Sequence, residues 1–192
     1  MDVIGNINER IAVQTRGLRA ARGLSLATLA EKSGVSRSMI SLIERGEASP
    51  TAVVLERLAW GLGVPLAHLF DGASETEVTA PSPIARRAAQ LQWRDPASGY
   101  VRRNVSPPHW PSPLRIVEVD FPAGARVAYE TGHREPAVHQ QVWVLSGRIQ
   151  LTLGTEEIRL GTGDCLAMVL DRPTVFANRS RMPARYVVMV VV

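Results

Sequence analysis

Four side chains, Arg37, Ser38, Met39 and Ser41, follow Ser36 at the spacing with which a short helix offers a polar face. Arg37 is the residue type that hydrogen-bonds guanine O6 and N7 in bidentate fashion, and Ser38, Met39 and Ser41 can add base or methyl contacts. Ser25, Arg45 and Thr51 stand where helix N-termini and a cation would hold phosphates. Together these residue types describe the chemistry of reading double-stranded DNA.

The elements that would position them are legible at residues 24–50. Ser25 is placed to cap a first helix in which Leu26, Leu29 and Ala30 recur at three- and four-residue spacing. Gly34 supplies a left-handed turn, Val35 plugs the corner, and Ser36 caps a second helix with Ile40 and Ile43 facing inward. Gly46 closes that helix, and Ser49-Pro50-Thr51 opens another over 51–62. Upstream, residues 9–22 read as a helix with Ile11, Leu18 and Ala21 inward and Arg10, Arg16, Arg19 and Arg22 mostly outward. A short fifth helix is expected from Pro65 to Phe70, since proline suits a first helical position.

Residues from about 11 to 70 resemble the lambda-repressor-like helix-turn-helix domain of the XRE/Cro/phage-repressor family. The matching residues include Leu18-Arg19, Leu29-Ala30, Ser33-Gly34-Val35-Ser36, Ile43-Glu44-Arg45-Gly46, Pro50, Leu55, Leu58-Ala59 and Leu62-Gly63-Val64. The resemblance implies a five-helix DNA-binding domain over residues 9–71. One departure stands out: the family often has Gln at the second position of the first motif helix, where it touches phosphate, and here that position is Leu26.

Composition sets the boundaries of this reading. The 192 residues allow one large or two small domains, and the net charge of +4 suits an anionic partner. Residues 1–72 carry a net charge of only +1, so phosphate contacts must come from local clustering and be summed over a homodimer. Cys165 is the sole cysteine, which excludes an intrachain disulfide and a cysteine-rich zinc site. The opening residues lack a basic region followed by an apolar core, and no apolar run is long enough for a membrane span. A cytoplasmic protein with no membrane partner is expected.

Residues 71–83 are small, polar and proline-punctuated, which reads as a linker, and residues 84–92 could continue as a short helix. This assigns residues 72–91 to the linker and short helix, and 92–192 to a second domain. There, short apolar runs alternate with Gly, Pro and Asp turns, as in a sandwich or barrel. Candidate strands are 100–105, 114–121, 141–145, 148–154, 156–160, 164–169 and 185–192. Ser146-Gly147 reads as the turn of a hairpin, and the last strand, apolar at consecutive positions, is expected to be covered on both faces, by the barrel or by a dimer partner.

This half resembles the cupin family, a double-stranded β-helix or jelly-roll barrel. The resemblance rests on Phe121-Pro122-x-Gly124, Trp143-Val144-Leu145-Ser146-Gly147, Leu160-Gly161-x-Gly163-Asp164, Pro173, Phe176 and Asn178. The expected fold class is therefore a multidomain α + β chain. An XRE domain followed by a cupin resembles a class of bacterial ligand-responsive transcriptional regulators. Aligned on Gly147, the metal ligands of catalytic cupins fall on His133, Glu135, and Gln140 or His139, with the last His position at Thr174. Two imidazoles and a carboxylate, His133, Glu135 and His139, are a legitimate set for a divalent zinc or iron, provided all three point inward. Otherwise His133, Glu135, His139, Gln140 and Thr174 form an effector pocket for an amino acid, amine or similar polar metabolite.

Two functions follow. The first is a homodimeric DNA-binding regulator whose barrel senses a small molecule, without catalysis. The alternative is a metal-dependent cupin dioxygenase or isomerase fused to a DNA-binding domain. No nucleophile-base pair or acidic dyad appears elsewhere. More ordinary roles are expected for Trp143 and Cys165 as buried residues, Arg102-Arg103 and Arg179-x-Arg181 as solvated faces rather than anion sites, and Asn178 and Asp164 as partners of turn backbone.

Overall fold

The computed structural model describes residues 3–70, 82–130 and 137–191, with side chains from Ile7 onward. It divides into two compact units, an N-terminal helical one and a C-terminal β one.

The helical unit holds four α-helices, α1 (Val3–Ala21), α2 (Leu26–Ser33), α3 (Arg37–Glu44) and α4 (Ala52–Gly61). Each of the last three begins at a hydroxyl cap. Ser25 Oγ accepts from the Thr28 N–H, Ser36 Oγ from Met39 and Thr51 Oγ1 from Val54. Each bond satisfies an otherwise orphaned donor in a first helical turn. Gly34, at φ +66°, ends α2 in the left-handed region and donates to Ala30 O. Ile11, Leu29, Ile40, Ile43, Leu55 and Leu58 form the core, none more than 1 % exposed. Gly61 permits close helix approach, because a Cβ there would lie 2.9 Å from Ser33 Cβ. The expected fifth helix is instead a 3-10 helix, Leu66–Phe70, so the described residues hold four α-helices. Five residues are too few for an α-helical ladder to develop. Arg10, expected to face outward, is 8 % exposed.

The β unit has ten strands: β1 (Gln92–Arg94), β2 (Val101–Asn104), β3 (Leu114–Phe121), β4 (Arg126–Tyr129), β5 (His139–Ser146), β6 (Arg148–Leu153), β7 (Glu156–Gly161), β8 (Cys165–Val169), β9 (Thr174–Ala177) and β10 (Ala184–Val191). They form two antiparallel sheets, ordered β1-β2-β3-β10-β5-β8 and β4-β9-β6-β7. Of the last eight strands, β3, β5, β8 and β10 lie in the first sheet and β4, β6, β7 and β9 in the second, which makes the jelly roll expected of a cupin, with β1 and β2 extending one edge. Between the sheets runs a chain of rings, Trp93, Tyr100, Phe121, Tyr186, Phe176 and Tyr129, with successive centroids 5.8–6.1 Å apart. Tyr186 and Phe176 stack at 14°, joining one sheet to the other.

Three expectations change. Ser146-Gly147 is not a hairpin turn, because β5 pairs with β10 and β8 whereas β6 pairs with β7 and β9. It is the corner where the chain leaves one sheet for the other. Gly147 is required there, since at φ +80° a Cβ would meet Pro183 O at 2.8 Å. Second, the barrel itself covers β10 on one face only: Tyr186, Val188 and Val190 are buried, but Val191 is 47 % exposed. Third, the segment at 84–92 holds only the 3-10 turn Arg87–Ala89. The short strands β1, β4 and β9 were not apparent from the sequence pattern.

Candidate nucleic-acid interface and barrel interior

The face of α3 is built by its own periodicity. Ile40 and Ile43 are buried against the helical core, which turns Arg37, Ser38 and Met39 to the surface and leaves Ser41 half-exposed. Ser36 is itself exposed beside Ser38, with their hydroxyl oxygens 3.1 Å apart. The helix therefore begins with free backbone donors, a cation and hydroxyls on one accessible surface, an arrangement suited to a major groove. Ser25 is exposed and Thr51 half-exposed at the N-termini of α2 and α4. Leu26 is half-buried beside Ser25 and offers no polar group there.

An ion pair not apparent from sequence holds α3 in place. Arg19 on α1 grips Glu44 at the end of α3 through Nε–Oε1 and Nη2–Oε2 contacts, both 2.7 Å, and its Nη1 donates to Leu24 O at 2.9 Å. The Glu44 carboxylate is 7 % exposed, and its hydrogen bond raises the Arg19 pKa above the ordinary guanidinium value. One arginine thus ties α1, the approach to α2, and α3 together. Arg45 is otherwise engaged: its guanidinium makes two 2.8 Å contacts with Glu47 and donates to Ser41 Oγ. A phosphate would have to compete with Glu47 for this side chain.

In the β unit, strand alternation separates the expected pocket residues. Gln140 is buried at 8 % exposure and Thr174 at 1 %, whereas His139 is exposed. Gln140 pairs in register with Val190 and Met168, all buried. His139 lies on the opposite face of β5 with Gln141 and Trp143. His139 is thereby removed from any inward ligand set. Thr174 donates its hydroxyl to Arg172 O. His133 and Glu135 lie outside the described residues. Among the described residues no group of three or more His, Cys, Asp or Glu converges. Of the three expected ligands only His139 is described, and it lies on the outward face of β5.

The interior has a polar feature that the sequence pattern hid. Arg102, expected on a solvated face, is 8 % exposed and pairs in register with Trp93 and Val119, both buried. Its charge is felt by Tyr100, Tyr129 and Tyr186, lowering their pKa values, but burial dominates and raises all three. The Tyr100 and Tyr129 hydroxyl oxygens are 3.3 Å apart. These phenols remain neutral hydrogen-bonding groups around a buried cation.

Trp143 and Cys165 are both exposed rather than buried, paired across β5 and β8 on the outer face. Asn178 satisfies turn backbone, donating to Phe121 O and Met182 O and accepting from Ser180 N. Asp164 accepts from Gly161 N at 2.7 Å. No helix among the described residues is long and apolar enough to cross a membrane.

Comparison with known proteins agrees with this geometry. The family model described as helix-turn-helix matches residues 16–69. The HTH-type transcriptional regulator SutR of Escherichia coli is 27 % identical over 175 residues, covering 90 % of this chain and 89 % of that protein. An HTH-type transcriptional regulator of Sinorhizobium fredii, y4dJ, is 37 % identical over 59 residues, 31 % of this chain and 77 % of its own length. The crystal structure of an HTH_3 family transcriptional regulator from Vibrio cholerae superposes with a TM-score of 0.75 at 24 % identity, covering 98 % of both chains. With the capped α2–turn–α3 unit lying inside the matched region, this chain belongs to the XRE-type helix-turn-helix family of transcriptional regulators, its DNA-binding unit followed by a cupin-type jelly roll.

Proposed function

We propose that the chain acts as a homodimer that reads a pseudo-palindromic operator through α3 and answers to a small molecule held in the barrel. The observation that carries this reading is the accessible N-terminal face of α3, where Arg37, Ser38 and Met39 are exposed above a buried Ile40 and Ile43. Arg37 reads guanine, Ser38, Met39 and Ser41 add neighbouring contacts, and Ser25, Ser36 and Thr51 meet phosphate at helix N-termini. Arg45 joins them by exchanging Glu47 for a phosphate oxygen.

A second copy is the partner we assign to the outer face of the six-stranded sheet. Its β10 row runs from Arg185, which pairs with Asp120 at 2.7 Å, through Val187 and Met189 to the exposed Val191. Leu114, Trp143 and Val169 are exposed on the same face. An isologous contact would cover this apolar area and match the Asp120–Arg185 charges across the two-fold axis. A net charge of +1 on residues 1–72 makes two summed half-sites necessary.

For the effector, Gln140 and Thr174 supply inward polar groups, which suits an amino acid, amine or similar polar metabolite. His133 and Glu135, the other residues assigned to this pocket by the sequence, lie outside the described residues. The protein works by recognition without catalysis, since an oxygenase or isomerase needs a converging ligand set and His139 faces away. Selection of full-length protein against a pool of random duplexes tests the proposal. Enrichment of an inverted repeat with half-sites about one helical turn apart is expected. Recovery of no shared sequence would overturn it.

A further inference from the structure

The outer face of the smaller sheet carries a group of polar side chains that none of the functions above uses. Gln150 on β6 stands at its centre, only 6 % exposed although its face of the sheet looks outward. The strand register places Arg159 of β7 directly across from it on one side and Ala177 of β9 on the other. Arg148 lies two residues back along β6 and faces the same way, with Gly161 opposite it. Arg179, two residues beyond Ala177, continues the β9 row. Residues directly across a sheet stand about 5 Å apart and residues i, i+2 about 7 Å apart, so the three arginines surround one spot.

The floor of that spot is small and the walls are long. Gly161 contributes no side chain there, and Arg148, Arg159 and Arg179 line a depression of about 500 Å³. Gln150 lines it, and its Nε2, with two N–H donors, is buried without a hydrogen-bond partner among the described residues. Arg148 and Arg159 likewise make no ion pair among the described residues, and Arg179 has a 3.7 Å approach to Glu157 on an exposed surface. The other nearby carboxylate, Asp164, is taken by the Gly161 N–H. Unsatisfied donors and like charges converging on one open hollow are what an oxyanion completes, because it supplies acceptors to the amide and offsets the guanidinium repulsion.

We propose that Arg148, Gln150, Arg159 and Arg179 form a binding site for the oxyanion group of a small molecule, a phosphate or a carboxylate, on the outer face of the jelly roll. The Gln150 amide sets the depth at which the anion sits, and the guanidiniums supply charge and forked donors. This site is separate from the barrel interior.

Calorimetric titration of the full-length protein at constant ionic strength tests it, with pyrophosphate and succinate as probes for the two sources of the group. Saturable binding of at least one probe at a single site is expected, the tighter of the two naming the class. Gln150→Met, which keeps the volume and removes the donors, and Arg159→Gln on the exposed rim should each weaken it at least tenfold. Arg172→Gln, whose guanidinium is paired with Asp171 away from the depression, should bind as the parent does. Thermal unfolding of each variant separates lost binding from lost fold, and the exposed Arg159 position keeps the test valid should Gln150→Met fail to fold. Absence of saturable binding by both probes, or parental affinity in both Gln150→Met and Arg159→Gln, would overturn the proposal.

Discussion

The helical unit and the jelly roll hold their polar side chains over different spans of chain. In the helical unit, Ser25, Ser36 and Thr51 each bond a backbone N–H three residues on, so the positions of α2, α3 and α4 are set by neighbours in sequence. In the jelly roll, Asn178 reaches Phe121 and Arg185 reaches Asp120, 57 and 65 residues away. A local bond can be lost while its surroundings persist, whereas a bond between distant strands depends on the whole topology. Damage to the first unit should therefore be graded, and damage to a corner of the second should be collective.

The largest effect is expected at the corner between the sheets. Gly147→Val places a β-branched residue at φ +80° with its Cβ against Pro183 O and Ala184, and should destabilise the jelly roll by more than about 4 kcal/mol. Circular dichroism on heating should show the β unit lost with helical signal retained; a parental melting curve would break the contrast. Next is Arg19→Ala, which leaves the Glu44 carboxylate buried at the end of α3. A loss of about 3–5 kcal/mol from the helical unit is expected by denaturant titration, with the β unit unaffected. Arg19 is a long-range clamp of the helical unit, so a small effect would show that its helices hold together without this pair.

Alkaline titration sharpens the contrast without mutation. All three tyrosines lie in the jelly roll, and burial raises each folded pKa above the ordinary phenol value of about 10. A raised folded value means that the contribution to stability is complete below pH 10 and is lost as pH climbs toward the folded values. Tyrosinate absorbance should therefore appear only together with unfolding of the β unit. Ionisation near pH 10 with the fold intact would contradict the burial of these phenols. A smaller effect is expected of Ser36→Ala, about 1 kcal/mol from loss of one cap, read in the helical transition alone.

The same difference in span explains what could be read from residue order. The caps at Ser25, Ser36 and Thr51, the turn at Gly34 and the inward Ile40 and Ile43 are all decided within four residues, and the α2–turn–α3 unit was legible in full. The Arg19–Glu44 pair was not, because nothing local to either residue points across 25 positions. Ser146-Gly147 carries the same signal whether it closes a hairpin or turns a corner between sheets, and only the pairing of β5 and β6 distinguishes them. Trp143 and His139 follow from strand parity: Val142 and Val144 point inward, so the residues between and before them face out. Arg102 shows the reverse, a charge next to Arg103 that alternation buries against Trp93 and Val119. Gln150 and its arginines share a face only through the pairing of β6 with β7 and β9.

The central claim is that α3 reads base edges, and binding of Arg37→Ala tests it most directly. Fluorescence anisotropy on the selected operator and on an unrelated duplex, at one fixed salt concentration, gives both affinities. The account predicts a loss of roughly 1–3 kcal/mol on the operator and little change on the unrelated duplex. An equal loss on both would make Arg37 a phosphate contact and contradict it.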